Sequence, residues 1–308
     1  MPLPTPGFHH IMLNAVDPDT AIGWYTRQFS CSRKGEWGGY PALFSDNDVL
    51  VLFNKVNRPP RQQPQSAIWH FGWHVVDSQN TVAEFKQRPE VHLLPLYVEE
   101  TGGEVLISSD TWPNIGNTLG RTKAQIAEAK AQRIEPTHVG GFAYMEAPEH
   151  TLVEIAGNHA QERFNHVHMW QEDPFCALLW YQKHLNAPLR PGYDGTSLTE
   201  DTCKVPRHPD RTWPALKQEG MFRTPRAGVE FGDVSLIWYA NQGSEPLVSP
   251  LGQQQDHIGL SVGDLDAWVD KLKGGGVRFL RAPHKFGPTR AAMIEGPSLE
   301  AIALVEVN

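Results

Sequence analysis

The chain has 308 residues, 40% of them hydrophobic and 20% charged, and a formal net charge of -8. That length accommodates two ordinary domains, and the composition is that of a soluble globular protein and not of a disordered chain. The acidic balance without a long basic run excludes sequence-independent nucleic-acid binding, and no apolar stretch is long enough to span a bilayer.

The N-terminus, Met1-Pro-Leu-Pro-Thr-Pro6, has neither a basic nor an apolar leader segment, so a cytoplasmic setting is expected. Three cysteines, Cys31, Cys176 and Cys203, are too few and too scattered for a disulfide framework or a thiolate metal site, and read as ordinary thiols. Fourteen histidines and ten tryptophans direct attention to metal and small-molecule chemistry. The expected partner is a small-molecule substrate, with no nucleic acid and no membrane; a homo-oligomer is left open.

Along the chain one pattern occurs four times, a histidine followed seven residues later by an aspartate across an apolar segment. The copies are His10-Ile-Met-Leu-Asn-Ala-Val-Asp17, His70-Phe-Gly-Trp-His-Val-Val-Asp77, His166-Val-His-Met-Trp-Gln-Glu-Asp173 and His257-Ile-Gly-Leu-Ser-Val-Gly-Asp264. Each segment reads as a buried strand whose Asp caps a following helix. After Asp17 and Asp173 the helices match closely, with Pro at the first helical position and the pairs Trp24-Tyr25 and Trp180-Tyr181 in register. Copies two and four continue into helical patterns over Gln79–Arg88 and Leu265–Lys273. Strand-like segments follow, for example Tyr40–Phe44, Val49–Phe53, Gly228–Phe231 and Val234–Tyr239.

The unit is therefore β-α-β-β-β, and the fold class is α+β. Sequential pairing of the four modules predicts an N-terminal domain over 7–160 (modules 7–58 and 67–158) and a C-terminal domain over 163–308 (modules 163–241 and 255–308). The boundary is placed near Asn158–Phe164, with the linkers Asn57–Ser66 and Asn241–Gln255 inside the domains. Module two carries an insertion over about 90–136, with a helix-like stretch Arg121–Arg133, that reads as a lid; module three carries a Pro-rich loop over Ala187–Arg226.

The His-led strand, the amphipathic helix and a closing strand of form Pro-x5-Glu, here Glu146-Ala-Pro148-Glu-His-Thr-Leu-Val-Glu154, resemble the vicinal oxygen chelate superfamily of glyoxalases, bleomycin-resistance proteins and extradiol dioxygenases. The resemblance covers nearly the whole chain. It implies two curved mixed sheets, each able to hold one divalent metal ion. It places the metal on His10, His70 and Glu154, a two-histidine, one-carboxylate set that leaves positions for substrate and dioxygen. Strand alternation separates His10 from His9, sending the two to opposite faces. In the last module, Glu295-Gly-Pro297-Ser-Leu-Glu-Ala-Ile-Ala303, alanine stands at the carboxylate's position, so the C-terminal site is expected to be degenerate, and Glu300 falls on the other strand face.

Tyr144, ten residues before Glu154, resembles the substrate-contacting tyrosine of extradiol dioxygenases, although His150 stands where that signature has glycine. His74 shares a strand face with His70, and His138 lies just upstream of Tyr144; both are candidate acid–base groups. The implied activity is a ring-cleaving dioxygenase on a small aromatic diol, with Fe(II) favoured and Mn(II) or another divalent ion as alternative. The same metal could serve a Lewis-acid isomerase, epimerase, lyase or thiol transferase, or the chain could be a tryptophan-lined binding protein.

Overall fold

The computed structural model describes residues 3–62, 64–99, 101–112, 123–190, 198–204, 226–241 and 245–307. Module one comprises β1 (Gly7–Ala15), α1 (Pro18–Gln28), β2 (Ser32–Trp37), β3 (Tyr40–Ser45) and β4 (Leu50–Lys55). Module two runs through β5 (Ile68–His74), α2 (Ser78–Phe85), β6 (His92–Leu94), β7 (Tyr97–Val98), β8 (Glu104–Val105), α3 (Lys123–Ala131), β9 (Phe142–Ala147) and β10 (Thr151–Ala156). Module three has β11 (Arg163–Gln171), α4 (Pro174–Leu185), β12 (Arg226–Phe231) and β13 (Val234–Ala240). Module four has β14 (Gln255–Val262), α5 (Leu265–Gly274), β15 (Phe279–Phe286), β16 (Thr289–Glu295) and β17 (Ala301–Glu306).

Each repeat aspartate occupies the N-cap of its helix. Asp17, Asp77 and Asp264 accept backbone N–H bonds from Thr20, Asn80 and Ala267 at 3.1, 3.0 and 2.9 Å. Such a cap satisfies a donor the first helical turn leaves unpaired and is worth about 1 kcal/mol.

Apart from β7 and β8, which pair only with each other, the described strands form two curved mixed sheets. Among the described residues one has eight strands in the order β15-β16-β17-β14-β1-β4-β3-β2, and the other seven in the order β12-β13-β11-β5-β10-β9-β6. The first strands of two modules meet antiparallel at each sheet centre, β1 with β14 and β5 with β11. Module one thus pairs with module four, and module two with module three. This corrects the sequential pairing, and with it the division into 7–160 and 163–308.

The connectors explain the arrangement. The short turn between β10 and β11 stays within one sheet, whereas 57–66 and 241–254 both cross between sheets. These two crossings lie side by side, with bridges Arg61 to Gln253 and Ser66 to Val248 and the bonds Val248 N–H to Gln65 O (3.0 Å) and Gln254 N–H to Arg61 O (2.7 Å).

One continuous core joins the helix-bearing faces of both sheets, from Ile11 and Tyr25 through Phe71 and Trp73 to Trp238, Trp268 and Leu304. Modules adjacent in sequence meet there. Phe29 of module one stacks on Trp73 of module two at 4.2 Å, a contact worth about 1 kcal/mol beyond its buried area. Glu300 is buried in the same region, bonded to Gln171, Tyr181 and the Ser298 amide at 2.8, 2.9 and 2.7 Å. Those bonds supply partners for a carboxyl group that burial pushes up from its usual pKa.

Cys176 and Cys203 form a disulfide, tying α4 to the 198–204 segment and correcting the expectation of three free thiols; Cys31 remains a buried thiol. The insertion helix spans Lys123–Ala131, within the expected stretch. Most of the 187–226 loop and residues 113–122 lie outside the described residues. No helix among the described residues is long and apolar enough to cross a membrane.

Candidate metal centre

Along β5, Phe71 and Trp73 enter the shared core, so His70, Gly72 and His74 point to the opposite face of the seven-stranded sheet. On β11, Val167 and Met169 enter the core, and His166 and His168 take that same outer face. Glu154 on β10 lies directly opposite Gly72, and His168 opposite His70. The result is a cluster of four donors, His70, Glu154, His166 and His168, whose ligand atoms all lie within 4.8 Å of one another.

The Glu154 carboxylate is 3.0 Å from His70 Nε2, 3.6 Å from His166 Nε2 and 3.6 Å from His168 Nδ1. All four residues are buried. Burial alone pushes the Glu154 carboxyl well above its usual range; burial first, then neighbouring basic side chains, pushes His166 well below its own and takes His168 down to about 3.

Two of the buried nitrogens, His166 Nε2 and His168 Nδ1, have no hydrogen-bond partner. The other nitrogen of His166, Nδ1, bonds Asn165 Oδ1 at 3.0 Å. That bond places the ring proton on Nδ1 and leaves the Nε2 lone pair directed toward Glu154. Neutral imidazoles with unsatisfied lone pairs beside a buried carboxylate fit a divalent cation, which supplies the missing partner and offsets the carboxylate's desolvation.

Gly72 is required by this packing. A Cβ there would come within 2.6 Å of the Glu154 carbonyl oxygen and 2.7 Å of His166 Nε2.

His10 does not join the cluster. It stands on the eight-stranded sheet, with its Nε2 3.3 Å from His257 Nε2. Its Nδ1 is 2.8 Å from His9 Nδ1, because a register shift between Phe8 and His10 brings both rings to one side, against the alternation expected from sequence. There Ala303 lies opposite Gly259, as Glu154 lies opposite Gly72. Met12, Leu52, Ala303 and Phe286 form an apolar cluster there, with Trp37 and Tyr40 packed against it. The strand position where alanine replaces the carboxylate thus lies between modules one and four.

Tyr144 lies directly opposite Glu154 across β9 and β10, with its ring 5.1 Å from that of His70. His74 lies on the same strand face as His70, half-buried and stacked on His159 with ring centroids 3.2 Å apart. Burial, with help from His159 and His166, holds its pKa at about 2. His138 is elsewhere, in an exposed turn with positive φ, and its Nδ1 contacts Asp110 Oδ1 at 3.0 Å. It makes no contribution to the cluster. The insertion reaches the site through Leu94 and Leu96, which pack with Tyr144 and Trp69.

Sequence reasoning missed His166 and His168 as donors. The signal was a second histidine two residues after the repeat histidine, on the same strand face.

Residues 163–302 match the model of the Glyoxalase/Bleomycin resistance protein/Dioxygenase superfamily. Among curated proteins none matches the sequence at a significant level. Among solved structures, glyoxalase I from Zea mays aligns with 98% of this chain and 92% of its own at 15% identity and a TM-score of 0.63. A putative dioxygenase from Bacillus subtilis aligns with 99% of this chain and 86% of its own at 10% identity and a TM-score of 0.57. At such identities the likeness is one of fold. The sequence over 163–302 thus matches the model of that superfamily, and over its whole length the chain shares the fold of these two structures.

Proposed function

We propose that the chain is a metal-dependent enzyme holding one divalent ion on His70, Glu154, His166 and His168, and that it isomerises or cleaves a substrate bearing two adjacent oxygens. The carrying observation is the number of donors. Around a six-coordinate ion, four protein donors leave two positions, which a chelating substrate fills, with none remaining for dioxygen. The ion would act as a Lewis acid on the chelated oxygens. In this reading Tyr144, beside His70, would donate a hydrogen bond to a substrate oxygen, whereas His74, its pKa lowered by burial to about 2, is too weak a base to take the expected acid–base role. Three imidazoles and a carboxylate suit Zn(II), Fe(II), Co(II) or Ni(II).

The ring-cleaving dioxygenase is the second reading. Tyr144 opposite Glu154 favours it, but it requires one donor to stay off the ion.

The test is metal analysis beside oxygen uptake. Wild type and His10→Ala are expected to retain one equivalent of metal, and Glu154→Ala and His168→Ala to lose it. A His10→Ala protein without metal would overturn the assignment. Catechols are expected to bind the loaded protein without consuming dioxygen; stoichiometric uptake with ring opening would establish the dioxygenase instead.

A further inference from the structure

The seven-stranded sheet gathers its histidines around Glu154, whereas the eight-stranded sheet, with Ala303 in the matching position, joins its own histidines to one another. Asp256 Oδ1 is 2.6 Å from His257 Nδ1, His257 Nε2 is 3.3 Å from His10 Nε2, and His10 Nδ1 is 2.8 Å from His9 Nδ1. Three imidazoles thus stand in line from a carboxylate.

Two bulges build the line. The register of β1 against β14 shifts between Phe8 and His10 and again between Met12 and Leu13, which leaves His9 and Asp256 as the extra residues of their strands. Each stands immediately before its repeat histidine, and a bulge re-aims the side chain it carries.

The carboxylate end is fixed, since Asp256 Oδ2 accepts from Asn14 Nδ2 at 3.1 Å and from the Gly252 amide at 2.7 Å. The middle is shielded from water: His10 and His257 are buried, and Phe286 stacks on His10 at 5.8 Å. At the far end His9 is partly exposed, edge-on to Trp37 at 4.8 Å, and its Nε2 makes no hydrogen bond among the described residues. Two other titratable groups pack around Phe286, Tyr40 and His284. Among the described residues neither bonds to the line; His284 donates from Nδ1 to the Ala282 carbonyl at 3.0 Å.

Three neutral imidazoles hold three N–H protons, one for each link. His257 donates to Asp256, His10 to His257 and His9 to His10, which leaves a lone pair on His9 Nε2. A proton taken up there reverses the line. The Nδ1 proton of His9 passes to His10, the Nε2 proton of His10 passes to His257, and His257 becomes an imidazolium beside the Asp256 carboxylate. Every N–H bond broken is matched by one formed, and the buried positive charge arises beside its partner instead of alone.

We propose that Asp256, His257, His10 and His9 form a proton relay that makes this face an acid–base site independent of metal. His9 Nε2 is the group that meets a substrate, and Trp37 beside it suits an uncharged compound with an apolar body.

The relay is tested on the full-length chain. Long-range nitrogen–proton spectra of histidine-labelled protein are assigned with His9→Gln and His10→Gln. Above the imidazole range they are expected to show Nδ1–H on His9 and His257 and Nε2–H on His10, and on acidification the opposite tautomers on His9 and His10 as His257 becomes charged. Diethyl pyrocarbonate, an uncharged acylating compound, forms an N–C bond at His9 Nε2 and releases ethyl carbonate, and the Nδ1 proton that His9 then sheds passes into the relay. Peptide mass mapping is expected to show this rate at least about tenfold lower in Asp256→Asn and in His257→Gln, with the far-ultraviolet spectrum unchanged. If both variants lose that spectrum, the wild-type tautomers decide alone. Tautomers of His9 and His10 that titrate independently, or a His9 rate untouched by either substitution, would overturn the relay. So would a second equivalent of Co(II) that is lost in His257→Ala, because the two Nε2 atoms would then hold an ion and not a shared proton.

Discussion

At the scale of single residues, the proposed metal centre depends on groups that orient its candidate donors as much as on those donors. Asn165 fixes the tautomer of His166 through the 3.0 Å bond to Nδ1. The residue before the repeat histidine does the same in module four, where Asp256 Oδ1 is 2.6 Å from His257 Nδ1. Replacing Asn165 by Leu removes the acceptor without removing a donor to the ion. Metal affinity, measured by competition with a chelator, is expected to fall about 10- to 100-fold, with the far-ultraviolet spectrum unchanged. A second prediction follows from buried histidines outside the donor set. Burial holds His9 at about 4 and, with help from His159, His74 at about 2, against about 6.5 in an unfolded chain. Between those values the unfolded state binds more protons, so stability rises with pH. It is complete above about 6.5 and is lost as pH falls toward the folded values. The urea midpoint of the metal-free protein is expected to decline steadily below pH 6.5, and less steeply in His74→Asn; a flat midpoint between pH 7 and 5 would contradict this. The histidine repeat pointed to His70, and the family resemblance to Glu154 and Tyr144; the three lie together on one sheet face. Neither signal could place His138, whose positive φ and pairing with Asp110 are set by a turn.

At the scale of elements, strands and helices follow the sequence pattern closely, since apolar alternation, capping Asp and Pro at the helix start all act locally. Irregularities escape that reading. The register shift beside His10 brings His9 to the same side, and a period-two pattern carries no mark of such a bulge. Gly72 shows how an element admits the site: β5 needs no side chain there because His166 of the neighbouring strand occupies the space. In Gly72→Ala the new Cβ meets a backbone carbonyl, which cannot rotate away. The substitution is expected to destabilise the chain by about 1–3 kcal/mol and to lower metal stoichiometry by displacing His166. Gly263→Ala, with open space around it, serves as the control and is expected to change neither the denaturation midpoint nor the bound metal.

At the scale of the whole molecule, four repeats were legible but their partnering was not. A histidine repeat states which strands are equivalent; it does not state which two lie side by side. The connectors held that information. The Pro-rich segment 57–66 and the longer 241–254 cross between sheets, while the short turn after β10 joins two modules of one sheet, in keeping with the tendency of boundaries to fall in polar, Pro-rich linkers. Exchanging the partners moves the candidate metal site from the His10 sheet to the His166 sheet and brings the insertion's Leu94 and Leu96 close to it. The arrangement can be tested without any substitution. Mn(II) bound at the cluster broadens nearby proton signals, so the indole N–H resonances of Trp69 and Trp170, whose rings lie 4.6 Å apart beside His70 and His168, are expected to vanish at one equivalent. Trp37 packs against His9 on the other sheet at 4.8 Å, and its signal is expected to persist. Loss of the Trp37 signal with Trp170 spared would instead place the ion beside His10 and overturn its assignment to the His166 sheet.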